Sequence, residues 1–427
     1  MSENYRYLSK NITPEEPIEI IAGGGVFVYD KNGNRYLDLS SQTANLNLGH
    51  RHPLITSAIE EYIKSERPYF LSSRWQSSLM ADLAAKLVEI SPKGMSKANV
   101  KLCNGSDALE DAFKRSRRFH KKENKQIIVA QYRSHHGESS ETLSASGKNF
   151  ENKSELGGSK NFIFIEPTYT YRKPDNLTEE EYSASCSKNL EELVKKRGDI
   201  SAVVLEPIQV TGGVIPQQKS FLKNVERICN ENNITFILDE VQTAFGWLGT
   251  MFASDYYEIK PDIIALGKGL SAGFPALAAT VFKEEYDNLN YGESEFTNGG
   301  EPLACTAALA NINYLQNSDI LNTIPKKHTH LMERLLNMKE RYKQIGDVRG
   351  ECLILGIEFI EEDKSEDYKT TEKVYKSALD KGLILRKASC QGKGSNVLII
   401  KPPIIINHEQ IEESMDILDK SLKEGLR

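Results

Sequence analysis

The chain has 427 residues, of which 27% are charged, and a formal net charge of −6. That length holds one large core plus a smaller second domain, or two or three modest domains. The basic residues are scattered rather than gathered in a stripe, which argues against a nucleic-acid partner. No apolar run approaches the ~20 residues a membrane helix needs. Met1 to Glu16 carries acids and no apolar stretch, so no secretory signal is expected. Six cysteines (Cys103, Cys186, Cys229, Cys305, Cys352 and Cys390) lie far apart with no CxxC. Reduced thiols in a cytoplasmic protein are expected, not a disulfide framework or a zinc knuckle.

In chain order, Val26 to Leu39 predicts a hairpin around the polar turn Asp30-Lys31-Asn32-Gly33-Asn34. Seven short apolar runs follow: Val100 to Cys103, Gln126 to Ala130, Phe162 to Ile165, Ala202 to Leu205, Thr235 to Leu238, Ile263 to Leu266 and Ala278 to Phe282. Amphipathic segments such as Leu190 to Arg197 and Phe221 to Asn230 separate several of them. That alternation predicts an α/β fold, with a large domain built on a mostly parallel seven-stranded sheet covered by helices. Beyond about residue 316, helical stretches mix with the strands Cys352 to Phe359 and Val397 to Ile400, the latter closed by Pro402-Pro403. A small α+β domain built from both chain ends is expected, residues 1–60 and 316–427, around a large domain at 61–315.

In open α/β sheets, ligands sit outside the carboxyl ends of the strands. Three of these ends carry chemistry. One run leads into Asn104-Gly105-Ser106-Asp107, another into Asp239-Glu240-Val241-Gln242, and a third into Gly267-Lys268-Gly269. Alone, each reads plainly as a capped helix start, a solvated helix start and a surface loop. Together they meet the needs of pyridoxal 5′-phosphate (PLP). A glycine turn opening a helix offers N–H groups to a phosphate. An aspartate keeps a pyridinium nitrogen protonated, and a lysine amine forms a Schiff base with an aldehyde.

The segments Leu205-Glu206-Pro207-Ile208-Gln209, Ile237 to Thr243 and Leu266-Gly267-Lys268-Gly269 resemble the core of the class III (ω-type) PLP-dependent aminotransferases, of fold type I. The resemblance spans nearly the whole chain. Tyr36-Leu37-Asp38, Gly49-His50-Arg51-His52-Pro53, His135-His136-Gly137, Thr297 to Ala304 and Gly346 to Gly350 match further family segments in order. It implies that Lys268 carries the cofactor and shuttles the proton, and that Asp239 pairs with the ring nitrogen. Gln242 would bond the ring 3′-oxygen, and Val241 would pack beneath the ring. His135 would stack on its outer face, and Gly105 and Ser106 would hold the phosphate. Thr297 would reach the site of a neighbouring subunit, making the active unit a homodimer. The partners implied are a small amine or amino acid and a keto acid.

The chain departs from the family at several points. His135 stands where the family has Tyr or Phe, and Glu301 where it has Asn. Gly246-Trp247-Leu248-Gly249 replaces a frequent Gly-Arg-Thr-Gly, and Ile399 replaces an arginine that grips an α-carboxylate. Arg386 reads either as a substitute for that grip or as a solvated arginine at a strand end. Trp75, with Arg74 and Trp247, is a candidate substrate-pocket wall. Gly267 to Ala272 fits a GxGxxA fingerprint, but Gly273 and Pro275 exclude the helix a dinucleotide site requires. His50, His52, His135 and His136 lack ligand spacing and read as loop and core histidines, so no metal is expected. The alternative to transamination is racemisation, epimerisation or amino-group migration on the same scaffold.

Overall fold

The computed structural model describes residues 3–12, 16, 18–147, 158–389 and 394–426. The seven apolar runs form a single sheet. Its strands in chain order are β1 (Lys97–Leu102), β2 (Ile127–Gln131), β3 (Phe162–Ile165), β4 (Ile200–Leu205), β5 (Thr235–Asp239), β6 (Ile263–Leu266) and β7 (Ala278–Phe282). In space they lie in the order β1-β7-β6-β5-β4-β2-β3. Every residue of β4, β5 and β6 is buried. Strands covered on both faces lose the in-out alternation, which is why these runs read as unbroken apolar stretches.

The sheet is parallel except at β7, which runs antiparallel to both β6 and β1. The cause is the connection. A parallel return needs a crossover, usually a helix. The link from β6 to β7 holds only a 3₁₀ turn at Lys268–Ser271, which also disposes of the dinucleotide fingerprint. The helix Lys219–Glu231 contains one expected amphipathic segment, and Glu179–Lys196 the other except for its last residue, Arg197, which caps the helix in extended conformation.

The hairpin forms from Phe27–Asp30 and Arg35–Asp38 in antiparallel register. A further strand, Ile20–Gly24, joins its outer edge. Leu383–Ile384 adds to Arg35–Asp38 in parallel, so both ends of the chain share one four-stranded sheet. A second sheet has the order Ile345–Glu351, Ile354–Phe359, Val397–Ile400, Arg386–Lys387. The run expected from Cys352 begins as a strand only at Ile354, because Cys352 turns the chain at φ +52°. Among the described residues no helix is long and apolar enough to cross a membrane.

Candidate active site

The carboxyl ends of β1, β5 and β6 open on a cavity of about 230 Å³. Gly105, Ser106, His135, Asp239, Val241, Gln242 and Lys268 all line it, as do Asn104, His136, Gly137 and Glu138.

The helix α1 (Gly105–Phe119) begins at this cavity. Asn104 is its N-cap: Asn104 Oδ1 accepts the Asp107 N–H at 3.2 Å, and Asp107 Oδ2 accepts the Asn104 N–H at 3.3 Å. This capping box fixes where the helix starts, so its free N–H groups and positive dipole end face the cavity. A Cβ on Gly105 would lie 2.9 Å from the Val241 side chain, so only glycine lets the helix start pass so close. Ser106 Oγ accepts the Glu138 N–H at 3.2 Å, tying the helix start to the His135–Glu138 turn.

Asp239 ends β5 and is 4% exposed. Its Oδ1 accepts the Val241 N–H at 3.1 Å, and its Oδ2 accepts from His136 Nδ1 at 2.7 Å. The His136 Nε2 is buried with no hydrogen-bond partner among the described residues. The turn bearing the two histidines is held from both sides. The His135 N–H donates to Glu206 Oε1 at 2.7 Å, and the His136 N–H to Ser146 Oγ at 2.8 Å. The neighbouring Glu240 points into the fold and accepts the N–H groups of Ala253 and Ser254. Burial pushes its carboxyl up to about 7.

Lys268 sits in the left-handed region at φ +44°. Such strain in a residue other than glycine concentrates at functional sites. Its Nζ donates to the Thr43 carbonyl at 3.0 Å.

Arg386 donates to Gln242 Oε1 at 3.1 Å and to Thr211 Oγ1 at 2.9 Å, and Gln242 Nε2 donates to the same Thr211 hydroxyl at 3.1 Å. Burial lowers the guanidinium below the ordinary arginine value, and Glu206 opposes that shift. Arg386 pairs directly across the sheet with Ile399, the position where the family's carboxylate-gripping arginine is replaced. A second cavity, of about 650 Å³, is lined by Thr43, Tyr368, Tyr375, Arg386 and Lys387 among others. It meets the first through the Lys268–Thr43 and Arg386–Gln242 hydrogen bonds.

The candidates Arg74, Trp75, Trp247 and Thr297 line neither cavity. Trp75 is 68% exposed. Thr297 is also exposed, and its carbonyl accepts from Lys101 Nζ at 3.1 Å. The same ammonium lies 5.6 Å from the Phe70 ring centre, and Ser73 hydrogen-bonds Tyr291. Residues 69–75 and 291–297 therefore adjoin, and Tyr69, Phe70, Trp75 and Tyr291 expose their rings there.

His50 Nε2 pairs with Asp38 at 3.0 Å, and His52 packs on Tyr314, roles within the fold. From sequence His136 reads only as a loop or core histidine, and Thr211 carries no mark. His136 belongs to the His135-His136-Gly137 segment, but nothing in spacing marks Thr211.

The donor set fits PLP. A capped helix start with a serine suits a phosphate, a buried oriented carboxylate suits a pyridinium, and a lysine amine lies beside both. The sequence profile of the Aminotransferase class-III family matches residues 10–422. The chain belongs to the class III aminotransferases.

This class III aminotransferase is 32% identical over 406 residues to the acetylornithine aminotransferase of Clostridium acetobutylicum, covering 94% of this chain and 95% of that one. It is likewise 32% identical over 416 residues to the leucine/methionine racemase of Thermococcus litoralis, covering 95% and 90%. The PMP-bound form of an aminotransferase from Vibrio fluvialis superposes with a TM-score of 0.90 at 25% identity, over 99% of this chain and 97% of that one. The chain is a PLP-dependent transaminase of fold type I. Among the family departures, Trp247 is fully buried and donates from Nε1 to the Pro402 carbonyl at 3.0 Å, so it walls neither cavity.

Proposed function

We propose that the enzyme moves an amino group from an amine or amino acid donor to a 2-keto acid or aldehyde acceptor, with Lys268 holding PLP as a Schiff base. The observation that carries this reading is the convergence of Lys268, Asp239 and the Asn104-capped helix start on one cavity. Bound there, PLP supplies an electron sink for the carbon bearing the amino group. The residues do the rest. Gly105, Ser106 and the α1 N-terminus would hold the phosphate. Asp239, aimed by His136 and the Val241 N–H, would keep the ring nitrogen protonated. Val241 and His135 would sandwich the ring, and the second Nε2 hydrogen of Gln242 would meet its 3′-oxygen. Lys268 Nζ would carry the proton between the two carbon centres.

Arg386 is the candidate grip for a substrate carboxylate, and its place beside Ile399 supports that role. Transamination is favoured over racemisation because the ω-type segments from Glu206 to Lys268 accompany the loss of the arginine at 399. The test offers ω-amines with pyruvate or 2-oxoglutarate, and separately offers single enantiomers of amino acids with no keto acid. New alanine or glutamate is the expected result. Sustained inversion of the α-centre, with no keto acid or pyridoxamine phosphate accumulating, would overturn the reading in favour of a racemase.

The active unit is a homodimer in this reading. Exposed Tyr69, Phe70, Trp75 and Tyr291 form an aromatic face around Thr297, the kind of patch that marks an interface. Thr297 and Trp75 would then reach the partner's site. Sedimentation of the PLP-loaded enzyme should give a dimer, and an active PLP-loaded monomer would refute the arrangement. A cytoplasmic location is supported by Cys103, Cys186, Cys229, Cys305 and Cys352, all free thiols. Cys390 lies outside the described residues. The division at about residues 60 and 315 is supported by the sheet that Leu383–Ile384 shares with Arg35–Asp38.

A further inference from the structure

The segment Ser41–Ala44, which follows the hairpin, forms one left-handed helical turn. Its φ angles are +46° at Ser41 and Gln42, +59° at Thr43 and +66° at Ala44. Residues other than glycine visit that region singly rather than in runs, and a β-branched threonine least readily. Such a turn persists only where its surroundings over-determine it. Here they do. Asp38, fully buried, accepts from the Ser40 N–H at 2.8 Å, from Ser40 Oγ at 2.6 Å and from Gln42 Nε2 at 3.1 Å, and pairs with His50. Ser41 Oγ donates to the Lys401 carbonyl at 2.6 Å. Asn45 closes the turn, its N–H donating to the Ser41 carbonyl at 2.9 Å and its Nδ2 to the Gln42 carbonyl at 2.7 Å.

The turn presents the Thr43 carbonyl, which accepts from Lys268 Nζ at 3.0 Å. Lys268 lies at φ +44°, so both partners of this bond sit in strained backbone. Thr43 also lines the larger cavity, as Arg386 does. We propose that Ser41–Ala44 is a positioning element for Lys268: it holds the Thr43 carbonyl where it receives the lysine amine whenever substrate displaces that amine from the cofactor. The inference rests on the reading that Lys268 carries PLP. A neutral amine has N–H donors and one lone pair, and an ammonium has donors only. With one N–H held by Thr43, the lone pair is aimed at the carbon bearing the amino group. That lone pair takes the proton from the carbon, and the C–H electron pair passes into the ring. The nitrogen then gives a proton to the second carbon centre and is neutral again. While it is an ammonium, its bond to the Thr43 carbonyl is charge-assisted and stronger.

The test compares Q42P with Q42G in the PLP-loaded enzyme. Both delete the Gln42 side chain and its hydrogen bond to Asp38. Proline fixes φ near about −65° and cannot hold the turn, whereas glycine takes the left-handed conformation freely. The conversion of bound cofactor to pyridoxamine phosphate is followed with alanine and with glutamate, each with hydrogen or deuterium at the α-carbon. Q42P should convert about 10- to 100-fold more slowly than Q42G, the scale of one hydrogen bond to a charged group, and with a larger isotope effect. Equal rates in the two variants would overturn the proposal. So would a slow Q42P whose isotope effect stays at the Q42G value, since a loosened fold alone gives that result. Borohydride mapping of both variants keeps the two readings apart, because a label away from Lys268 overturns the cofactor assignment instead. Should Q42P not load cofactor, or neither amino acid react, a crystal structure of the wild type loaded with pyridoxamine phosphate carries the test. Lys268 Nζ should lie about 3 Å from the Thr43 carbonyl there. An Nζ turned away from Thr43 would refute the positioning role.

Discussion

Asp239→Asn is expected to fold and bind PLP yet lose about 10²–10³-fold in kcat, the scale of removing one principal electrostatic contact to a reacting group. Both oxygens of the native carboxylate are engaged, one by His136 Nδ1 and one by the Val241 N–H. An asparagine oxygen can still accept one of these hydrogen bonds, so the local fold should survive. A neutral amide cannot keep the ring nitrogen protonated, and the electron sink weakens accordingly. Asp239 is 4% exposed, so little water stands by to take over its charge. Turnover and cofactor affinity, measured together, check this. Near-normal turnover would move the pyridinium role to another residue.

Lys268→Ala is expected to cost more, about 10⁶-fold in kcat, the scale of deleting a covalent nucleophile. The loss should be separable from stability. Lys268 holds φ +44° against its own preference, a strain of about 1–3 kcal/mol. Glycine adopts that conformation freely. Lys268→Gly should therefore be inactive, and thermal unfolding should show it no less stable than wild type. The hydrogen bond to Thr43 lost with the side chain is worth only about 1 kcal/mol. A Lys268→Gly protein that unfolds well below wild type would show that the lysine supports the fold.

The seven strands were legible because burial on both faces makes each an unbroken apolar run. Ile20–Gly24 was not, since it is largely exposed and ends in glycines. Ile345–Glu351 was known only as a family segment, because its polar residues and glycines hide the strand period. The reversal of β7 was also hidden, since strand direction follows from the connecting turn and not from the strand's own residues. In the candidate site, Gly105, Ser106, Asp239 and Lys268 could be read because each stands at a strand end or just after one. The pairing of His136 with Asp239 joins positions 103 apart, and that of Arg386 with Gln242 positions 144 apart. No local pattern encodes such contacts. Trp75 and Thr297 lie exposed on an outer face, away from both cavities.

The central claim is that PLP is carried by Lys268 in this cavity. Borohydride reduction of the PLP-loaded enzyme, followed by peptide mapping, tests it most directly. The pyridoxyl group should appear on the peptide containing Lys268, and on no other in Lys268→Ala. A label on any other lysine of the wild-type protein would contradict the account.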